Sequence, residues 1–249
     1  MKLTVLMPAQ NEEKNVRKTI DDIFNILKSN RIDHEILVVN DNSSDRTKDI
    51  VETHMSKVET LRLVSNPDPK GFGTAVRCGF EHMRGDAVCI MMADGSDSPD
   101  DLLIYAKKII EGYDCVFGSR FIKGAHVVDY PIHKLILNRI GNYFIKFFLG
   151  VKHNDITNGF KCYKKEVIDG IKPIFSNHFN LTVELPLKAI IRGYDYSTVP
   201  IKWFNRTEGF SKFKIREMGS RYLFIICYIF IEKHLSRGDY LRKKDKKND

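Results

Sequence analysis

The residues in this chain whose types and spacing best suit chemistry lie in residues 91–100, MMADGSDSPD, where Asp94 and Asp97 follow a short apolar run. A carboxylate at the end of a buried strand is costly unless a cation or hydrogen-bond donors meet it. If Asp94 and Asp97 serve a cation, two carboxylates with no accompanying His/Cys ligand set would make an all-oxygen site, which suits Mg2+ or Mn2+ and not zinc. The plainer alternative is that Asp97 caps a helix opening at Pro99, whose dipole Asp100 and Asp101 complement.

Four more segments share this polar density: PAQNEE at 8–13, NDNSSDRT at 40–47, NPDPKGFGTA at 66–75 and GSRF at 118–121. Each alone has a bland account. Asp45 would serve as an N-cap, and KGFGTA as a glycine turn or as a helix start offering N–H groups to a phosphate.

The elements that must position them are legible as alternating strand-length apolar runs and helical stretches. Strands are expected at 3–9, 34–41, 60–66, 87–94 and 114–120, with helices at 14–28, 45–55, 74–83 and 99–111. The runs are short, continuous and rich in Val, Ile and Leu, as in strands covered on both faces. Such alternation predicts an α/β fold with a mostly parallel sheet, and ligands then bind beyond the carboxyl ends of the strands. The five polar loops fall at that edge. Further on, a basic, apolar helix is expected over about 131–149, a loop at 153–160, a helix around 180–192, a strand at 196–203 and a C-terminal helix.

Taken in order, PAQNE, VNDNSSDRT, NPDPKGFGTA, ADGSD and GSRF resemble glycosyltransferase family 2. DITNGFKCY (155–163), VEL (183–185) and RTEGFSK (206–212) resemble its branch of polyprenyl-phosphate sugar transferases, which includes dolichol-phosphate mannose synthases. The resemblance spans roughly residues 1–215. It implies a GT-A, Rossmann-like fold with a C-terminal amphipathic helix. It also implies an inverting, metal-dependent transfer of mannose or glucose from GDP-mannose or UDP-glucose to a polyprenyl phosphate, dolichyl or undecaprenyl.

On this reading Pro8, Gln10, Glu12, Asp41, Lys70 and Gly71 lie on the nucleotide side, and Asp94 holds the cation. Met92 stands where the family's first metal-binding Asp is usual, and Asp97 is expected to supply the missing carboxylate. The lipid phosphate falls to Arg120, Lys134, Asn138 and Arg139, with Arg206 and Lys212 in a loop over the phosphates. Lys134 and Asn138 occupy positions where the family more often shows Arg and Ser. A phosphate acceptor is already anionic and needs no strong base. A hydroxyl acceptor would need one, and Asp155 is the residue offered for it. Alternatively, Arg120 and Asp155 form a structural pair, and Glu184 holds Arg206 or a sugar hydroxyl.

Composition bounds the rest. The chain of 249 residues is long enough for a full core, and its five well-separated cysteines argue against a disulfide framework and for a reducing compartment. The net charge is +8, of which +7 lies from residue 202 onward, beside the uncharged stretch YLFIICYIFI at 222–231. That is about half the length of a membrane span, so residues 1–214 are expected to form the catalytic domain and 215–249 an appendage docked on the cytoplasmic leaflet. A peripheral enzyme or a homo-oligomer is expected. No basic-aromatic motif points to nucleic acid. A non-catalytic nucleotide-binding adaptor at the membrane is the rival from another class, allowed by the loss of the first Asp at Met92.

Overall fold

The computed structural model describes residues 1–205, 215–236 and 238–242, with only the backbone for 215–218. Arg206 and Lys212 lie outside the described residues.

The first half alternates strand and helix. It runs through β1 (Leu3–Ala9), α1 (Val16–Ser29), β2 (His34–Asn40), α2 (Thr47–His54) and β3 (Leu61–Ser65), then α3 (Phe72–His82), β4 (Ala87–Ile90), α4 (Asp101–Ile110) and β5 (Cys115–Ser119). A short β6 (His126–Val128) precedes α5 (Ile132–Leu149). The chain ends with β7 (Lys161–Lys164), α6 (Lys165–Gly170), α7 (Leu181–Ile191), β8 (Tyr196–Pro200), β9 (Lys202–Phe204) and α8 (Ile215–Leu235). Seven strands form one sheet in the order β3-β2-β1-β4-β7-β5-β8, parallel except for β7, and β6 and β9 pair separately.

Alternation of side chains divides the core into layers. From β1, Leu3, Val5 and Met7 face Val16, Ile20, Ile23 and Leu27 of α1 and Leu102, Tyr105 and Ile109 of α4. Leu6, Leu37 and Val39 face the opposite way, toward Ala75 and Val76 of α3 and Leu181, Leu185 and Ala189 of α7. Each such fully buried aliphatic contributes about 1.5–3 kcal/mol, so this sandwich is a stiff base for the loops at its edge. A third cluster joins α5, α7 and α8 through Ile145, Leu149, Val183, Leu187, Ile225, Ile226 and Ile229.

Pro8 sits in a central strand without breaking it. The Ala9 carbonyl accepts the Asp41 N–H and the Leu6 carbonyl accepts the Met91 N–H, so successive residues serve alternate neighbours. Pro8 therefore faces the β4 side, beyond the last β1–β4 pair, Leu6–Ile90, where no ladder N–H is needed.

Several elements differ from the reading of the sequence. β4 stops at Ile90, four residues earlier than expected, and the chain turns at once toward Asp94. The strand expected at 196–203 is two strands, β8 on the main sheet and β9 turned away to pair with β6. β7 follows a segment read as loop and was not anticipated. Only four residues long and bounded by lysines, KCYK lacks the apolar run that marked the other strands. Among the described side chains of α8, Leu223, Phe224, Ile231 and Leu235 are exposed opposite the buried Ile225, Ile226 and Ile229, with Ser220 and His234 exposed as well. Among the described residues, no helix is long and apolar enough to cross a membrane.

Candidate active site

The parallel strands deliver the five loops to one edge of the sheet. Asp41, one residue past β2, organises the rim expected from sequence to face the nucleotide. Its Oδ1 accepts from Asn66 Nδ2 at 2.8 Å and its Oδ2 accepts the Gly71 N–H at 3.0 Å. Gln10 Nε2 reaches the Asp41 carbonyl at 3.1 Å. The ends of β1, β2 and β3 and the glycine turn are thus tied by one buried carboxylate. Glu12 belongs to the same rim: its N–H is held by Thr47 Oγ1 at 2.8 Å, and its carboxylate accepts from Asn15 Nδ2 at 3.2 Å. Pro8 is buried and Lys70 is exposed at the turn.

Most of the N–H groups that the glycine turn would offer a phosphate at the start of α3 are taken within the fold. The Gly73 and Thr74 N–H groups both point to the Asn177 carbonyl, at 3.0 and 3.3 Å, and the Gly71 N–H is taken by Asp41. The glycines are needed for close approach: a Cβ on Gly71 would lie 2.2 Å from the Asn177 carbonyl oxygen, and one on Gly73 2.2 Å from that of Ser176.

Asp94 and Asp97 are 7% and 3% exposed in the turn after β4. Asp94 Oδ1 accepts the Ser96 N–H at 3.0 Å, and Asp97 Oδ2 accepts the Met92 N–H at 3.0 Å. Burial, with Asp94 and Asp101 nearby, lifts Asp97 to about 7 against the pull of the Met92 N–H and Arg120. Among the described residues, no cluster of three or more His, Cys, Asp or Glu side chains forms a complete metal cage. Two buried carboxylates whose charges oppose each other are hard oxygen donors of the kind Mg2+ takes, and a cation held there would need further ligands from elsewhere. β9 braces this turn: the Phe204 N–H reaches the Ser96 carbonyl at 2.9 Å and the Lys202 N–H reaches Asp101 Oδ2 at 2.7 Å.

Arg120, just past β5, is clamped by Asp155. The wholly buried Asp155 accepts the Arg120 N–H and Nε–H at 2.9 Å each and Nη2–H at 2.7 Å, while Arg120 Nη1 reaches Tyr130 Oη at 3.3 Å. Burial alone would raise Asp155, but the Arg120 charge and its hydrogen bonds hold it below the usual carboxylate range. A carboxylate gripped at three points by a guanidinium and held below its ordinary range is a poor general base, so the base role offered for it from sequence gives way to anchoring Arg120. Glu184 is likewise engaged, with the Phe175 and Ser176 N–H groups and Lys188.

On α5, Lys134 is exposed, and Asn138 Nδ2 donates to Thr157 Oγ1 at 3.0 Å. The Arg139 guanidinium lies 4.5 Å from the Phe121 ring centroid and 4.6 Å from that of Tyr143, which orients it beside the Arg120 loop.

Reading the sequence missed three supporting residues. Asn66 stood inside a quoted loop but was not singled out. Asn142 donates to Thr157 Oγ1 at 3.0 Å and ties α5 to the Asp155 loop. Lys161 is 1% exposed, and its Nζ meets the Ile156 carbonyl at 2.8 Å, the Thr182 carbonyl at 3.3 Å and the Asn158 carbonyl. Burial presses Lys161 down to about 7, offset in part by Asp155 and Asp97. Its three carbonyl neighbours call for the ammonium, the only form with three N–H donors.

Known proteins place this arrangement. The chain is 30% identical over 233 residues to the polyprenol monophosphomannose synthase of Mycolicibacterium smegmatis, covering 87% of this chain and 86% of that one. It is 30% identical to the dolichol-phosphate mannosyltransferase of Pyrococcus furiosus over 86% of this chain and 60% of that one. It is 31% identical to the dolichyl-phosphate beta-glucosyltransferase ALG5A of Trichomonas vaginalis over 87% and 69%.

Its fold matches glucosyl-3-phosphoglycerate synthase of Mycobacterium tuberculosis, solved with UDP, at a TM-score of 0.68 and 17% identity, over 93% of this chain and 79% of that one. A second structure of that enzyme, with Mn2+, UDP-glucose and phosphoglyceric acid, matches at 0.67 and 17% over the same shares. The fold is therefore of the GT-A type, that of a nucleotide-sugar transferase. Residues 4–171 match glycosyl transferase family 2, and the chain belongs to that family.

Proposed function

We propose that the protein is an inverting hexosyltransferase that moves mannose or glucose from a nucleotide-sugar, GDP-mannose or UDP-glucose, to a polyprenyl phosphate such as dolichyl or undecaprenyl phosphate. The observation that carries the acceptor class is the state of Asp155. The carboxylate offered from sequence as the base for a hydroxyl is engaged at three points by Arg120, so an acceptor that arrives already ionised suits the site better. Relatives at about 30% identity that act on polyprenol and dolichol phosphates support the same reading.

Asp94 and Asp97 would hold Mg2+ or Mn2+ on the donor diphosphate. A cation held there would supply Lewis-acid stabilisation of the negative charge that develops on the nucleoside diphosphate leaving group. Asp41, with Gln10, Glu12, Lys70, Gly71 and Pro8, forms the nucleotide side. Arg120, Lys134, Asn138 and Arg139 orient and neutralise the acceptor phosphate, and Arg206 and Lys212, outside the described residues, are assigned to a loop over the phosphates.

The enzyme works at a membrane surface, peripherally and on the cytoplasmic face. Supporting this, α5 exposes Ile132, Ile136, Ile140, Phe144 and Phe147, from 47% to 91% exposed, beside Lys134 and Lys146.

The decisive experiment incubates labelled GDP-mannose and UDP-glucose, with and without Mn2+, with a polyprenyl phosphate or with soluble sugars. Lipid-linked hexose that depends on Mn2+ and disappears in Asp94→Ala is expected. Product with hydroxyl acceptors alone would overturn the lipid assignment, and binding without turnover would favour a nucleotide-binding adaptor.

A further inference from the structure

The interior beneath the acceptor side holds a cation whose purpose the reaction does not explain by itself. Lys161 lies on β7, the single antiparallel strand, where it pairs with Ile90 of β4 on one side and Phe117 of β5 on the other. β4 leads to Asp94 and Asp97, and β5 leads to Arg120. Lys161 therefore sits between the strands that feed the two halves of the site. A lysine is rarely tolerated at 1% exposure without a reason, since its charge must be satisfied locally.

Its three carbonyl partners identify that reason. Two of them, Ile156 and Asn158, belong to the loop that begins with Asp155, and the third, Thr182, belongs to α7. With its N–H groups facing these carbonyls and 1% exposure, Lys161 is not placed to meet a substrate. It pins the peptide next to Asp155 against the sheet and α7. Asn158, held by Lys161 through its carbonyl, also donates its side-chain amide to the Gly118 carbonyl at 3.0 Å, two residues before Arg120. Asp155 in turn grips Arg120 through its N–H, Nε and Nη2. The buried charges around the amine are Asp155 and Asp97, which favour it, and Arg120, which opposes it, with His153 close by.

We propose that Lys161 is a positioning residue: by stapling residues 156–158 to α7 it holds Asp155 under Arg120 and so aims Arg120 at the acceptor phosphate. This rests on the reading that Arg120 contacts that phosphate. No hydrogen bond joins Lys161 to Asp41 or to the glycine turn, and Asp97 feels only its charge, so nucleoside diphosphate affinity measured without a divalent cation serves as the donor-side control.

The test compares wild type, Lys161→Met, Lys161→Gln, Lys161→Arg and Arg120→Ala. It uses whichever of GDP-mannose and UDP-glucose supports turnover, and a short-chain polyprenyl phosphate in detergent. KM for each substrate, kcat, the affinity for the nucleoside diphosphate and the melting temperature are measured. Lys161→Met and Lys161→Gln should raise the acceptor KM or lower kcat by about 10- to 100-fold, the scale of a misplaced positioning group. Nucleoside diphosphate affinity should stay unchanged. Lys161→Arg, which keeps the charge and the donors, should recover most of the loss.

A role confined to stability would lower the melting temperature of every variant while leaving the kinetics of the folded enzyme intact, and that result overturns the proposal. Equal loss on the donor side overturns it as well. If Lys161→Met does not fold, the split between Lys161→Gln and Lys161→Arg decides in its place. Normal acceptor kinetics in Arg120→Ala would instead remove the reading of Arg120 itself, whatever the lysine variants do.

Discussion

Arg192 at the end of α7 and Glu232 on α8 form a bidentate ion pair, Nε to Oε1 at 2.7 Å and Nη2 to Oε2 at 2.9 Å, with both side chains under 5% exposed. Arg192 Nη1 also reaches the Gly170 and Lys172 carbonyls at 2.9 Å each. The C-terminal helix is thereby locked to the same segment whose continuation, Asn177, caps the start of α3. Glu232→Gln should destabilise the fold by about 3–5 kcal/mol, because it leaves a buried guanidinium without its counter-charge. Urea unfolding monitored by circular dichroism measures this, and a loss under about 1 kcal/mol would mean that the pair is solvated and unimportant.

The glycine turn makes a sharper prediction. Gly71 has an extended backbone that any residue could adopt, so only space forbids a side chain there. Gly71→Ala must push its Cβ away from the Asn177 carbonyl, at a cost of about 1–3 kcal/mol. Displacing Gly71 also loosens the N–H held by Asp41, so nucleoside diphosphate affinity, read by calorimetry, should fall together with stability. Unchanged affinity would separate the turn from the nucleotide side.

His153 sets an acid limit. Burial, aided by the Lys161 charge and opposed by Asp155, lowers it from its ordinary value of 6.5 to about 4. The unfolded chain takes up a proton near 6.5 that the folded protein refuses until about 4. Stability contributed by the neutral ring is therefore complete above pH 6.5 and is lost progressively as the pH falls toward 4, by about 3 kcal/mol in all. His153→Gln should flatten that part of the stability–pH curve, and an unaltered curve would exclude the residue as its source.

The apolar row of α5 gives a fourth. Ile140→Glu and Phe147→Glu each remove an exposed apolar anchor worth about 1.5–3 kcal/mol when buried, so each should weaken sedimentation with anionic vesicles by about ten-fold or more. Turnover with a short, water-soluble polyprenyl phosphate should survive. Vesicle binding insensitive to both would move the membrane contact elsewhere, or remove it.

What the sequence disclosed followed from physics that acts locally. Continuous Val/Ile/Leu runs such as ILVV in β2 mark strands covered on both faces, and parallel topology then sends Gln10, Asp41, Asn66, Asp94 and Arg120 to one edge. The hidden part depends on partners distant in the chain. Lys161 reads as one more charged residue until Ile156, Asn158 and Thr182 close around it, and the Arg192–Glu232 pair joins residues 40 apart. Asp155 and Arg120 were both visible as candidates, but the three-point grip that makes one an anchor and not a base is a matter of geometry. Asn177, which takes the N–H groups of α3, lies about a hundred residues from the turn it caps.

The antiparallel β7 has a consequence for synthesis on the ribosome. Its pairing with β4 joins Ile90 to Lys161, about 70 residues apart, and among the described residues it is the only strand bridging β4 and β5 in the main sheet. As the chain emerges from its N-terminus, β1 to β4 can assemble first, leaving β4 as an unprotected hydrogen-bonding edge until Lys161 has been made. Closure of that gap joins the two halves of the sheet, and β8 and Thr182, the last partner of Lys161, follow later in the chain. A nascent chain stalled before residue 161 should thus present a sticky half-sheet to chaperones, and one stalled well past it should not.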